Sequence, residues 1–528
     1  MRKLILLMGI LLFFTQGAFA QKKAKNIDIK WTSEKKCKKI YFTQDAVFAY
    51  DDTGYYILRK AGAIKEKNYL VHIDNKLNLD KSREIFLGKG RKKRHLHHFR
   101  GFNNKLYMYT TFLNRNINSL YVQTVNKKTL MPNEDIKKLI SFEHKKKNGI
   151  GNFSVLTSRD STKLMVYYNL PYQENEKEKF GFYIYDKEMN EIWSKQITLP
   201  YKDKLFVIKD YDIDNNGAVH ILGKLFNKKA KDKRKGKVNY RYQILSYYNN
   251  GTELKRYDIR LKGKFVKDVK MVVNDDKDII CAGFYSDDNS DSIKGIYFVK
   301  IDHETKELIT ESYKKFDSNF ITQYMKEGAK KNTKKRIAKG KNVELYSYDL
   351  NDIVLKKDGG AVLIGEDYDS SVMTSTYFKG NGGYGKQTTY YYTYNNIIVI
   401  NISPKGQILW AQKVPKRQTS NAPGYFASYA SMITDHKIYL LYNDNPKNLI
   451  SGENDKGKIY NLSNLKKSVI VLASLDSDGK LTRDIIPKPD KTKLFLIPKA
   501  STQINDDTMI IFIKRARKYR YAKLTFKE

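Results

Sequence analysis

Residues 472–484 read LASLDSDGKLTRD, and the fold follows from them. An apolar run stops at Asp476, Ser477, Asp478 and Gly479, and a second run follows. Asp and Gly belong in a tight turn: the carboxylate takes up the turn's own amides, and Gly accepts a positive φ. The same unit recurs as VHIDNKLNLD (71–80), VQTVNKKTLM (122–131), YIYDKEMNEIW (183–193), LSYYNNGTELKRY (245–257), VKIDHETKELIT (299–310) and VINISPKGQILW (399–410). Self-similarity over a whole chain marks a repeat architecture. One hairpin cannot bury its own apolar face, so the copies must pack on one another.

Each turn unit follows another β-prone run. These are AVFAYDD (46–52), KLYMYTTF (105–112), KLMVYYN (163–169), AVHILGKLF (218–226), DIICAGFY (278–285), AVLIGEDY (361–368), KIYLLYND (437–444) and TMIIFIKRA (508–516). Tyr, Ile, Val and Phe dominate them, as strands require. The last is followed by KYRYAKLTFKE, while NIDIKWTSE, from Asn26, stands before the first complete unit. Pairing these two hides two sheet edges. The expected fold is an all-β propeller whose eight inner strands are these runs, closed by its N- and C-terminal strands; seven blades is the alternative. Residues 317–345 read as a helical or mobile Lys-rich insertion, and 443–467 as a long surface loop.

Arg2 and Lys3 precede an apolar run, Leu4–Phe14, and Ala18 and Ala20 suit signal peptidase. Residues 1–20 read as a cleaved secretory signal and 21–528 as one propeller domain. No later stretch is apolar enough for a membrane helix. The expected location is outside the cytoplasm: periplasm, outer-membrane periphery or cell surface. The formal charge is +41, and loss of Arg2 and Lys3 leaves +39. Such a field favours anionic partners, although Lys exceeds Arg and Lys is common on plain solvated faces. Cys37 and Cys281 read as free, buried thiols on nearly opposite blades.

The densest cationic cluster is GKGRKKRHLHHFR (88–100). Lys89, Arg91, Lys92, Lys93, Arg94 and Arg100 are candidate contacts for a polyanion or a partner, with a solvated loop as the alternative. His95, His97 and His98 lie among these cations, which disfavours a metal. GNGGYGKQ (380–387) has P-loop spacing at Gly380, Gly385 and Lys386, but Gln387 replaces the magnesium-binding hydroxyl and a strand follows, so it reads as a hairpin loop. Asp212, Asp214 and Asn216 open like a calcium loop, but Gly223 stands where the bidentate Glu belongs, so turn chemistry is the preferred reading. The YYYTY run at 390–394 reads as inter-blade packing, with a stacking platform for sugars or partners as the alternative. No nucleophile elbow, HExxH helix or zinc-type Cys spacing appears, and no cofactor is indicated.

Residues 358–418, with DGGAVLIGEDY, YYYTYNNIIVINISPKGQILWAQKV and PKRQ, resemble secreted β-propeller proteins of the Bacteroidota, as does the closing KYRYAKLTF. The resemblance implies the fold and an envelope location. More broadly, an exported propeller of this kind is similar to soluble accessory subunits of outer-membrane machinery, such as the periplasmic plug of the type IX secretion translocon. No site residue carries over. The expected function is a non-enzymatic interaction subunit that docks on an envelope protein, such as an outer-membrane barrel complex. One alternative is a binder of anionic glycan or lipopolysaccharide; another is a hydrolase or lyase with its site in a central channel. Nucleic acid is not an expected partner.

Overall fold

The computed structural model describes residues 24–527, except 25, 39–41, 63–65, 145–148, 228–238, 288–291, 340, 342, 346–347, 379–383, 422–423, 451–457 and 490–492. The segment read as a secretory signal therefore lies outside the described residues. The fold is all-β, in consecutive antiparallel sheets of four or more strands. Among the described residues eight such sheets follow in chain order; the first five and the seventh are simple up-and-down meanders, and the sixth and eighth carry additional short strands. The fourth sheet is typical: Phe206–Ile213, Val219–Phe226, Tyr240–Tyr248 and Glu253–Ile259. The eighth combines the two ends of the chain, with Ile27–Trp31 paired to Lys518–Phe526 in register Ile27↔Phe526 through Trp31↔Ala522.

Apolar residues on both faces of the central strands bury each sheet against its neighbours. The apolar clusters follow that order. Phe182, Ile184 and Trp193 of the third sheet pack with Ile213, Val219 and Ile221 of the fourth. Ile244 and Leu222 of the fourth pack with Met271, Cys281 and Val299 of the fifth. Similar clusters join each later pair, and one joins Phe512 and Tyr521 of the eighth sheet to Ile57 and Val71 of the first. Face-to-face packing of successive four-stranded meanders is β-propeller architecture.

The repeated turn units connect third and fourth strands. Their Asp and Asn residues do what the sequence suggests: Asp476 Oδ1 accepts from the amides of Asp478 and Lys480, and Asp186 Oδ1 from those of Glu188 and Asn190. The turns also seal adjacent sheets. Trp410, on the fourth strand of the sixth sheet, donates Nε1–H to the Ser477 carbonyl of the seventh at 2.7 Å. Gly479 has φ +78°, and a Cβ there would meet the Trp410 ring at 2.7 Å. Asp212 and Asp214 spend their carboxylates on backbone amides, including Val273 N across the sheet boundary and Ala218 N in the local turn.

The runs read as inner strands are, with one exception, the second strands of their sheets; only residues 46–51 lie in a first strand, Phe42–Asp51. The true first strands, such as His95–Phe102 and Phe265–Val273, interleave Lys, Asp, His and Arg with apolar residues and so lack a continuous apolar signal. The two thiols are free. Cys281 is buried, but Cys37 is only half-buried, beside the short strand Lys35–Lys36 that edges the eighth sheet. The two cysteines thus belong to the eighth and fifth sheets, three apart in the series of eight.

Candidate interaction face

One end of the sixth sheet carries three elaborations. Its second and third strands, Ala361–Phe378 and Tyr384–Ile402, are far longer than their neighbours. The first strand stops at Tyr348, opposite Asp367, and the fourth at Val414, opposite Ile397. Beyond that line the two long strands continue as a two-stranded ribbon, from Tyr368↔Tyr394 to Phe378↔Tyr384. Its eleven residue pairs reach about 35 Å at ~3.4 Å per residue. A short strand, Gln418–Ser420, covers its outer edge only at Tyr392–Tyr394.

The ribbon's composition departs from the rest of the chain. No residue is charged over 370–378 or 387–394, against 29% charged overall. Val372, Met373 and Tyr390 are 60%, 58% and 53% exposed, and Val372 faces Tyr390 directly across the ribbon. Of the YYYTY run, Tyr390 is exposed, while Tyr391, Tyr392 and Tyr394 are half-buried. The run lies on the ribbon, and Tyr394 at the base is tied down, its ring against Tyr368 and its hydroxyl accepting from Gly424 N. Of the GNGGYGKQ segment, Tyr384–Gln387 begin the ribbon's second strand, and 380–383 lie outside the described residues.

A buried polar clamp holds the ribbon base. Lys416, fully buried, donates to Glu366 Oε1 at 2.6 Å, to the Tyr394 carbonyl and to Gln418 Oε1. Ser428 Oγ donates to the other Glu366 oxygen, and Gln418 Nε2 to the Asn443 carbonyl in the seventh sheet. Asp367 sits in the bulge between Glu366 and Tyr368; burial pushes its carboxyl up to about 6, and Asn395 donates to it. Burial pushes Lys413 down to about 8, and this amine donates to the carbonyls of Phe320 and Ile321.

Those carbonyls belong to helix α1 (Ser318–Thr322), which together with α2 (Glu327–Ala338) forms the insertion expected at 317–345. Asp317 caps α1 by accepting from Phe320 N, and Phe316 stacks on Phe320. α2 buries none of its residues. The chain leaves it to enter the sheet at Tyr348, opposite Asp367, so the helices and the ribbon emerge from the same end. The expected loop at 443–467 begins two residues later than read, because the second strand of the seventh sheet runs through Asp444.

In the basic segment, 88–94 form the connection between the first and second sheets, and 95–100 lie in the first strand of the second, His95–Phe102. Lys89, Lys92 and Lys93 are exposed and form no ion pair among the described residues. Arg94 and Arg100 are half-buried and already engaged. Arg94 donates to Thr110 Oγ1 and Gln123 Oε1, and Arg100 to the Val155 carbonyl and Thr157 Oγ1 of the third sheet. The Arg91 side chain lies outside the described residues. His98 is stacked on Tyr109, and burial lowers it to about 3; His97 reaches the Phe153 carbonyl. A cleft of about 340 Å³ here has mixed lining charge, with Asp45 and Glu66 beside Lys60 and Lys93.

On the first strands, carboxylates meet neighbouring strands. Asp210 Oδ2 accepts from Met271 N, and Asp268 pairs with Lys209 at 3.7 Å. Elsewhere, Glu178 is buried, and burial together with Asp203 beside it pushes its carboxyl up to about 9.

The sequence reading missed the ribbon and its clamp. A signal for the first was present in the uncharged Ser/Thr/Tyr stretches flanking GNGGYGKQ. Glu366 and Lys416 are fifty residues apart, and nothing in either stretch marks them as partners.

No family model and no curated protein matches the chain. Among solved structures it is similar to the WD40 domain of SCAP from fission yeast, with TM-score 0.39 and 9% identity over 94% of this chain and 99% of that one. It is also similar to prolyl oligopeptidase B from Galerina marginata, with TM-score 0.39 and 9% identity over 90% of this chain and 55% of that one. For acylaminoacyl peptidase from Pyrococcus horikoshii the TM-score is 0.36 and the identity 11%, over 90% and 58%. The chain spans about half the length of these peptidases, and likeness at this level carries no functional argument.

Proposed function

We propose that this protein is a non-enzymatic interaction module of the cell envelope: an exported propeller of eight blades, closed by its two terminal strands, that presents the ribbon to a membrane-embedded protein partner. The observation that carries the reading is the ribbon itself. A long two-stranded ribbon with open edges, whose charges are confined to Asp369 at its base and Lys386 near its tip, is marginal in water and prone to pair with other chains. Here a buried clamp holds it out from a body that is otherwise richly charged.

Eight blades and closure are supported by two independent features. Eight apolar clusters join the sheets pairwise, and the series returns from the eighth sheet to the first. First strands are also linked by side chains across sheet boundaries, including Val47 N to Thr502 Oγ1 at 3.0 Å, which joins the first sheet to the eighth.

The test compares a tagged wild-type chain, purified from its native cells in mild detergent, with a variant whose ribbon residues 370–392 are replaced by a tight turn. The expected result is a stoichiometric outer-membrane barrel protein with the wild type and none with the variant. Recovery of the wild type alone, or equal recovery of the barrel by both, overturns the proposal.

A second reading, polyanion or glycan binding, is favoured by one observation: Lys89, Lys92 and Lys93 are exposed and without ion pairs among the described residues. It expects salt-sensitive retention on heparin that is lost when these three lysines are neutralised together with Arg91.

A further inference from the structure

We infer that α2 is an electrostatic pad that lays this end of the molecule on an anionic lipid surface. Seven cations, Lys326, Lys330, Lys331, Lys334, Lys335, Arg336 and Lys339, lie in fourteen residues with a single acid, Glu327. None of the seven forms an ion pair among the described residues. Lysines 330 and 334, 331 and 335, and 335 and 339 stand four apart, a spacing that places like charges side by side and weakens a helix. The helix buries no residue that would offset this repulsion. Only Lys330, Thr333 and Ile337 are half-buried, and the other cations face solvent. A structure of this kind is relieved by a dense, extended negative charge.

The chemistry of α2 selects lipid over an acidic protein. Protein interfaces are anchored by aromatic residues, Met and Arg, and are depleted in Lys. The exposed side of α2 offers Lys, one Arg, Asn, Ala and Gly, with Glu327 as its one acid. Six of its seven cations are lysines, hydrated point charges that suit a diffuse charged plane better than bidentate recognition. It has no apolar face, so the contact is with headgroups and not with acyl chains.

The neighbouring ribbon agrees with this placement. It leaves the same end of the sheet, since the chain passes from α2 into Tyr348 opposite Asp367. Its exposed Tyr390 is the kind of residue that favours the membrane–water boundary. A surface that seats α2 on headgroups thus holds the ribbon at the bilayer plane. The pad itself does not depend on which protein the ribbon meets.

The test is flotation of the full chain with two kinds of vesicle, phosphatidylcholine alone and phosphatidylcholine mixed with phosphatidylglycerol, at low and high salt. The variant carries Lys331→Glu, Lys334→Glu, Lys335→Glu and Arg336→Glu, all on the exposed side. We expect the wild type to float with the mixed vesicles only, salt to release it, and the variant to bind at least about tenfold more weakly. The ribbon-replacement variant, which tests the protein partner separately, should keep vesicle binding. Equal flotation with both vesicles, none with either, or binding that the four substitutions leave unchanged overturns the inference; in the last two cases an acidic protein or another basic segment takes its place.

Discussion

Lys416 has no exposed surface, yet it remains tied to Glu366, Gln418 and the Tyr394 carbonyl. Breaking a buried pair by removing one member leaves the other charge without compensation, which costs about 3–5 kcal/mol. Lys416→Met should therefore lower stability in denaturant titration by that amount, and the Glu366→Leu/Lys416→Met double substitution should recover much of it. Glu178 makes a different argument. Its folded-state value near 9 lies above the ordinary 4.5, so between these values the folded chain holds a proton that the unfolded chain has released. Stability must then fall as pH rises through that window. Glu178→Gln keeps a neutral donor towards Asp203 and removes the dependence. Its melting temperature should exceed the wild type by a few degrees at about pH 8 and match it at about pH 5.

At the scale of elements, the turns and the strands differ in how plainly the sequence announces them. The Asp/Asn/Gly turns were legible because their chemistry is local: Asp476 serves amides two and four residues on, and Gly479 supplies a positive φ. What was not legible is that Gly479 also makes room for Trp410 of the preceding sheet. Gly479→Ala should cost about 1–3 kcal/mol, from strain and from displacement of that ring, visible as a lower denaturation midpoint with loss of tryptophan fluorescence shift on folding. The first strands escaped because Lys, Asp and His interrupt them. These residues reach neighbouring first strands, as Asp210 and His97 do, and alternation of that kind has no apolar run to find. The ribbon escaped for the opposite reason: Ser and Thr fill it, and its pairing is set by a partner strand across the hairpin rather than by a buried face. The α2 insertion was readable from charge alone; the cationic cluster at 88–100 was readable too, but not that Arg94 and Arg100 spend their charge inside the molecule.

At the scale of the molecule, the eighth sheet matters most. Ile27, Ile29 and Trp31 pack beside Leu524 and Phe526, and the Trp31 indole donates to the Pro487 carbonyl. Removing residues 26–34 should lower the melting temperature and broaden the transition, because the sheet at the chain ends loses its outer strand and Lys518–Phe526 acquires an open edge. Adding the peptide 26–34 in trans should restore a sharper transition in calorimetry; a deletion without effect would remove the shared sheet from any account of stability. The same pairing sets a schedule for biosynthesis. The strand at 27–31 is made about 490 residues before its mate at 518–526. At ordinary elongation rates that is an interval of roughly half a minute to a minute and a half. Throughout it the leading segment has no native mate, so the eighth sheet is completed only after the other seven have been made. Pairings this distant along the chain also close slowly. A nascent chain halted anywhere before residue 518 is therefore a substrate for holding factors and proteases.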